Sequence, residues 1–175
     1  DVSQAPVMFS HSSARAIADV PRNVPDSILA RLPKNGGVVM VTFVSGFIST
    51  RGLREWQQMA RDSLRGITDS VARSAARDAF VKRHPRPNPT AADVANHIEH
   101  VRKVASIDNV GLGGDYDGTS ELPDGMGDVT GYPLLFAELI RRGWTDAELT
   151  KLANGNMLRV LRGVEQTRDR LAAGR

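Results

Sequence analysis

The run GVVMVTF at 37–43 is apolar at nearly every position and shows none of the in–out alternation of a half-exposed strand. Such a segment suits a parallel strand covered on both faces. Two shorter runs share its character, PVMF at 6–9 and NVGLGG at 109–114. Each run is followed by polar residues and then by a helical pattern, the βα rhythm of an α/β fold. Three such strands alone leave two apolar edges, whereas a closed (β/α)8 TIM barrel needs eight strands and typically about 250 residues. With 175 residues, the chain reads as the last third or so of such a barrel, incomplete as given.

The helices are expected from their caps and stripes. Pro25 and Asp26 open a segment bearing Ile28, Leu29 and Leu32, closed by Asn35 and Gly36. Trp56, Met59, Ala60, Leu64, Ile67 and Val71 recur at three- and four-residue spacing, which predicts one long amphipathic helix with an Arg-rich outer face. It ends before the proline-rich linker HPRPNP at 84–89. Thr90 and Asp93 form a capping-box pattern ahead of Val94, Ile98, Val101 and Ala105, and Thr145 and Glu148 form a second ahead of Leu149 and Leu152. Leu135, Phe136, Leu139 and Ile140 mark a helix stopped by Gly143, and Met157, Leu161 and Val164 the apolar stripe of a last one.

Composition narrows the chemistry. There are no cysteines, so any metal must be held by His, Asp or Glu, which suits a catalytic site better than a thiolate structural one. No run approaches the roughly 18 apolar residues of a membrane helix, and the polar tail RDRLAAGR offers no lipid-anchor signal. Residue 1 is Asp and no signal-like segment follows, so a true N-terminus with its targeting signal is expected further upstream. Net charge is +3 with a pI near 9.7, mildly favouring acidic partners. The charges are interspersed and aromatics are only 5%, which argues against a nucleic-acid surface.

Two strand ends carry candidate chemistry. FSHSSA at 9–14 places His11 directly after the first strand, where parallel barrels put catalytic groups. There it is either a metal ligand or a His satisfied by a loop hydrogen bond. LGGDYDG at 112–118 does the same for Asp115, with Asp117 and Gly118 as turn residues. A calcium loop is conceivable here, but the EF-hand carboxylate spacing and closing Glu are absent. Arg22 is either an exposed loop residue or a fork for a substrate carboxylate. His97 and His100, in HIEH, lack the His-Glu-x-x-His arrangement and follow a proline linker away from strand ends, so a structural role is expected.

Taken in order, PVMFSHSSARAIADVPRNVPDSIL, VVMVTFVSGFIS, HIEHVRKVAS, NVGLGGDYDG and the stretch 132–164 with WTDAEL and NGNMLRVL resemble the renal (membrane) dipeptidase family. The likeness covers nearly the whole chain and is weakest in an Arg-rich helical insert at about 52–89. It implies an amidohydrolase-like barrel, with residues 1–175 as the C-terminal part of a single metallo-dipeptidase domain. It also implies two zinc ions, a dipeptide substrate and room for a homodimer. In that pattern His11 matches the last zinc ligand, Arg22 the residue holding the substrate's terminal carboxylate, and Asp115 the active-site acid that contacts substrate and carries protons. The HIEH histidines match a stretch without a metal role. Relatives can carry Tyr where this chain has Phe47, and any hydrogen bond from that hydroxyl to substrate is absent here. The family's first-strand His-x-Asp pair, bridging Glu, transition-state His and other metal-binding His belong upstream. On this resemblance the 175 residues hold zinc weakly and are inactive alone. The alternative reading is a non-catalytic barrel remnant whose Arg-rich insert serves as an interaction module.

Overall fold

The three apolar runs form three parallel strands, β1 (Met8–Phe9), β2 (Val38–Val41) and β3 (Val110–Leu112), in the order β1-β2-β3. The computed structural model describes residues 2–49 and 52–174, which leaves Arg175, the last residue of the basic tail, outside the described residues. Met8 pairs with Val38 and Phe9 with Val39; Val39, Met40 and Val41 pair with Val110, Gly111 and Leu112. All of β2 is buried, as its unbroken apolar run requires. The pleat divides its side chains. Val39 and Val41 enter the main core with Val94, Ile98 and Val101, while Val38 and Met40 pack with Val160.

Two single-turn helices, α1 (Asp26–Leu29) and α2 (Leu32–Asn35), connect β1 to β2. The expected limits hold, with Pro25 at the start and Gly36 at φ 77° at the end. The segment breaks internally because Pro33 has no amide to donate to the preceding turn. After β2 comes the short α3 (Ser45–Ile48).

The single long helix expected across 56–71 is instead two, α4 (Leu53–Ser63) and α5 (Ser70–Arg83). Gly66 sits at φ 79°, outside helical space. The Arg73 Nη1 donates to the carbonyls of Leu64 and Ile67, closing α4, and Asp69 accepts the Ala72 amide, opening α5. Leu64 is buried in this hairpin, where the Trp56 and Phe80 rings lie 5.6 Å apart, whereas Met59 and Val71 are exposed.

Both capping boxes form as expected, at Thr90 for α6 (Ala91–Val104) and at Thr145 for α8 (Asp146–Thr150). Between them run β3 and α7 (Tyr132–Arg141), which is stopped before Gly143 at φ 87°. A π-helical segment, Lys151–Gly155, joins α8 to α9 (Asn156–Ala173). The stripe expected on the last helix is buried only in part: Met157 packs with buried Val160 against Val38 and Met40, whereas Leu161 and Val164 are 45% and 42% exposed. Polar anchors decide the face presented. Asn156 Nδ2 donates to the carbonyls of Ile107 and Val110, and Arg159 donates to those of Gly36 and Asp108. No helix among the described residues is long and apolar enough to cross a membrane.

Arg142 binds α7 to α6. Its guanidinium donates to Glu138 at 2.7 Å, to Glu99 at 2.5 Å, to Asn96 at 2.8 Å and to the Ala92 carbonyl at 3.0 Å. The side chain is only 17% exposed, so removing it leaves carboxylates and a carbonyl short of partners in a poorly solvated seam. Arg142→Ala is expected to lower stability by about 2 to 4 kcal/mol. The check is the denaturant midpoint, which stays at the wild-type value if the network contributes nothing.

Candidate functional site

The ladder continues past the strands and fixes three strand ends side by side. On one flank of β2 the Ser12 amide donates to the Met40 carbonyl and the Thr42 amide to the Ser12 carbonyl. On the other, the Gly113 amide donates to the Val41 carbonyl and the Phe43 amide to the Gly114 carbonyl. The outer strand ends also converge across β2. A Cβ at Gly113 would stand 2.1 Å from the Ser10 carbonyl oxygen, so only glycine fits.

His11 and Arg22 meet at this end. Arg22 Nη2 lies 2.6 Å from His11 Nε2, and Ser10 Oγ lies 2.8 Å from His11 Nδ1. A guanidinium only donates, so Nε2 is the bare nitrogen and Nδ1 carries the proton, donated to the Ser10 hydroxyl. The Arg22 guanidinium also stands 5.7 Å above the Phe47 ring. The two arms that carry His11 and Arg22 are bridged where Ala14 pairs with Val24, the Arg15 amide donating to Val24 and the Val24 amide to Ser13.

Asp115 adopts φ 61°, the sole non-glycine with positive φ among the described residues. Asp tolerates this left-handed region better than most residues, yet the conformation is held here by its surroundings. The Gly118 amide donates to the Asp115 carbonyl, and a Cβ at Gly118 would stand 2.3 Å from Asp115 Oδ1. The turn expected at Asp117 and Gly118 thus folds the chain back over this carboxylate. Phe43, Tyr116 and Tyr132 stack edge-on beneath the loop, with centroids 5.4 to 5.9 Å apart. Burial and the neighbouring Tyr132 push the Tyr116 hydroxyl up to about 12, so it stays neutral. Among the described residues no hydrogen bond joins Asp115 to His11 or Arg22.

Two residues beneath the site carry interactions that the sequence motifs did not mark. The HIEH pair is structural, as expected, but its first member is not remote from the strand ends. His97 is fully buried; its Nδ1 accepts the Ala14 amide at 3.0 Å and its Nε2–H donates to the Ile48 carbonyl at 2.7 Å. The readable signal is its place on the apolar face of α6, between Val94 and Val101. His100 instead pairs with Asp26 at 2.8 Å. Buried Asn23 accepts the Ser13 amide and donates to the carbonyls of Ala18 and Phe47.

As a metal site the set is partial. His11 has the tautomer a metal ligand needs, with its other nitrogen on a neighbouring hydroxyl. No group of three or more His, Asp or Glu that could hold a metal ion exists among the described residues. A catalytic zinc generally needs three protein ligands, so these residues fit one corner of a metal site and do not make one.

Burial lowers the His97 pKa from 6.5 to about 4, against a smaller opposing effect of the Ile48 carbonyl; His100 lowers it further and Asp93 raises it. The unfolded chain takes up this proton near pH 6.5 and the folded one only near 4. Stability is therefore complete above about 6.5 and falls as pH drops towards 4, by about 3 kcal/mol in all. His97→Gln cannot protonate, so its loss of stability between pH 7 and 4.5 should be smaller than that of wild type. Urea midpoints at both pH values give the comparison, and equal losses refute the assignment.

The family model for membrane dipeptidase (Peptidase family M19) matches residues 1–175. Dipeptidase 3 of Homo sapiens is 39% identical over 169 residues, which is 97% of this chain and 28% of that protein. Dipeptidase 3 of Rattus norvegicus is 38% identical over 170 residues, with the same coverage. Among solved structures, the probable dipeptidase PvdM from Pseudomonas aeruginosa superposes with TM-score 0.75 at 24% identity, over 94% of this chain and 46% of that one; this likeness concerns fold alone. A metallo peptidase from Rhodobacter sphaeroides, liganded with a phosphinate mimic of the dipeptide L-Ala-D-Ala, gives TM-score 0.69 at 26% identity, over 93% and 37%. The chain thus spans 28% of the curated relatives' length and less than half of these structures.

Proposed function

The chain belongs to the membrane dipeptidase family, and on that footing we propose that it is the C-terminal part of a zinc-dependent dipeptidase barrel. In this reading residues 1–175 complete one domain with strands contributed by further sequence, and the α4–α5 hairpin is an insert at about 52–89. The observation that carries the proposal is the convergence of His11 and Arg22 at the carboxyl ends of parallel strands, where barrels of this kind do chemistry. The guanidinium suits an anionic group, and the imidazole nitrogen it now occupies can bind a cation once Arg22 turns away.

Two zinc ions, held chiefly by ligands outside these residues, would supply Lewis acidity towards the scissile carbonyl and make water acidic enough to attack. His11 contributes Nε2 as one ligand, with the Ser10 hydroxyl fixing its tautomer. Arg22 turns from His11 to the terminal carboxylate of the dipeptide, which orients the substrate and makes no bond. Asp115 accepts the proton of the attacking water on a carboxylate oxygen and returns it to the leaving amine nitrogen. The 175 residues alone supply one ligand and are inactive.

In the complete enzyme, Asp115→Asn keeps size and removes proton transfer, so kcat should fall by about 10² to 10⁴ while metal content stays at the wild-type level. His11→Ala should lose metal first, and added zinc should restore part of its activity but none to Asp115→Asn. Metal analysis beside kcat settles the roles, and a metal-free Asp115→Asn with a metal-replete His11→Ala would reverse them. A complete protein that binds no metal and cleaves no dipeptide is instead a barrel remnant with a binding role.

Arg22→Ala should weaken free-carboxylate dipeptides about ten- to a hundredfold in KM and leave amidated dipeptides nearly unaffected, a loss of roughly 1.5 to 3 kcal/mol. Equal losses on both substrates mean that Arg22 supports the loop and does not hold the substrate.

A further inference from the structure

The loops bearing His11 and Arg22 lie outside regular secondary structure and Phe47 sits on the single turn of α3, so something else must set their spacing. Two buried polar side chains span them in parallel. Asn23 bonds Ser13 and Phe47; His97, reaching up from α6, bonds the next residue of each segment, Ala14 and Ile48. The groups that His97 serves are ones a loop cannot easily satisfy. Ala14 sits where the two arms bridge, and the Ile48 carbonyl ends the single turn of α3. An apolar side chain would fill the same volume and leave both backbone groups unpaired, at a cost in each case. The helix that carries the ring is itself gripped from behind, since Arg142 bonds Asn96 and Glu99 on either side of His97.

We propose that His97 is a positioning residue for the site: by joining Ala14 to Ile48 it sets the distance between the His11 arm and the Arg22–Phe47 pair. This rests on the dipeptidase reading above and extends it to a residue that touches neither substrate nor metal. The two ring nitrogens divide the task. Nδ1 holds the arm that ends in His11, and Nε2–H holds the segment on which Arg22 stacks.

The two functions can be separated in the complete dipeptidase. His97→Asn places an amide oxygen near the Nδ1 position and cannot reach Ile48. His97→Gln places an amide nitrogen near the Nε2 position and leaves the Ala14 amide unpaired. In His97→Gln, zinc affinity measured against a chromophoric chelator should weaken about ten- to a hundredfold, the range for lost outer-shell support. The ¹⁵N shift of the His11 Nε2 in metal-free protein should move as well. In His97→Asn, KM for free-carboxylate dipeptides should rise about tenfold, more than kcat falls, with little effect on amidated ones. If both variants keep wild-type zinc affinity, KM and His11 shift per folded molecule and lose only thermal stability, His97 is core packing and the proposal fails. Wild type alone also tests it. Histidine ¹⁵N spectra should show His97 protonated at Nε2 with the Ala14 amide protected from exchange, and an Nδ1–H tautomer or a freely exchanging amide overturns it. A wild-type enzyme that loads zinc yet cleaves no dipeptide would defeat the functional reading alone, and the His11 shift in His97→Gln would still decide this one.

Discussion

β2 is buried on both faces and bonded along both edges, and its neighbours are shorter than it is. Burying each of its valines contributes roughly 1.5 to 3 kcal/mol, which only holds while helices cover both sides. α6 supplies one cover and is itself fastened to α7 through Arg142; α9 supplies the other and is fastened by Asn156 and Arg159. Every loop of the candidate site hangs from this strand or from the residues that prolong its ladder, Ser12 on one flank and Gly113 on the other. Its burial is therefore the condition on which the positions of His11, Arg22 and Asp115 depend.

The site itself joins groups of different origin. His11 and Arg22 come from one connection and meet directly, while Asp115 stands apart after β3, on the far side of β2, carried on an aromatic floor. The two groups of candidate residues thus sit on different loops with different supports. Membership of the membrane dipeptidase family gives this arrangement its meaning, and the share of the relatives that the chain spans sets how much of their machinery these residues can represent.

What the sequence announced was whatever depends on near neighbours. Unbroken apolar runs gave the strands, and paired Thr and acidic residues three apart gave the two capping boxes, because period and cap chemistry are local. The α4–α5 break was masked: Leu64, Ile67 and Val71 keep helical spacing straight through Gly66, although Gly66 and the Asp69 cap interrupt the helix there. The face of α9 follows its stripe only at Met157, since polar anchors to Gly36 and Val110 leave Leu161 and Val164 outward. Nor does any local pattern tell that His97 meets Ala14, 83 positions earlier in the chain. His11 and Asp115 could be named from strand ends and Arg22 from the family resemblance, but the contact of Arg22 with His11 and the left-handed backbone of Asp115 belong to tertiary structure.

The π-helical segment Lys151–Gly155 has a bearing on how this chain can vary. A π turn accommodates a residue more than an α-turn does, so it fixes the angular phase of everything after it. Dropping a single codon from this stretch would leave a continuous helix with all its internal bonds and rotate α9 by about 100°. Asn156 and Val160 would swing away from the carbonyls and the sheet that receive them. Substitutions within 151–155 alter side chains on a helix that is still correctly phased, whereas insertions or deletions disconnect it from its seat. The stretch is thereby restricted in length as well as in the one side chain it buries, Leu152.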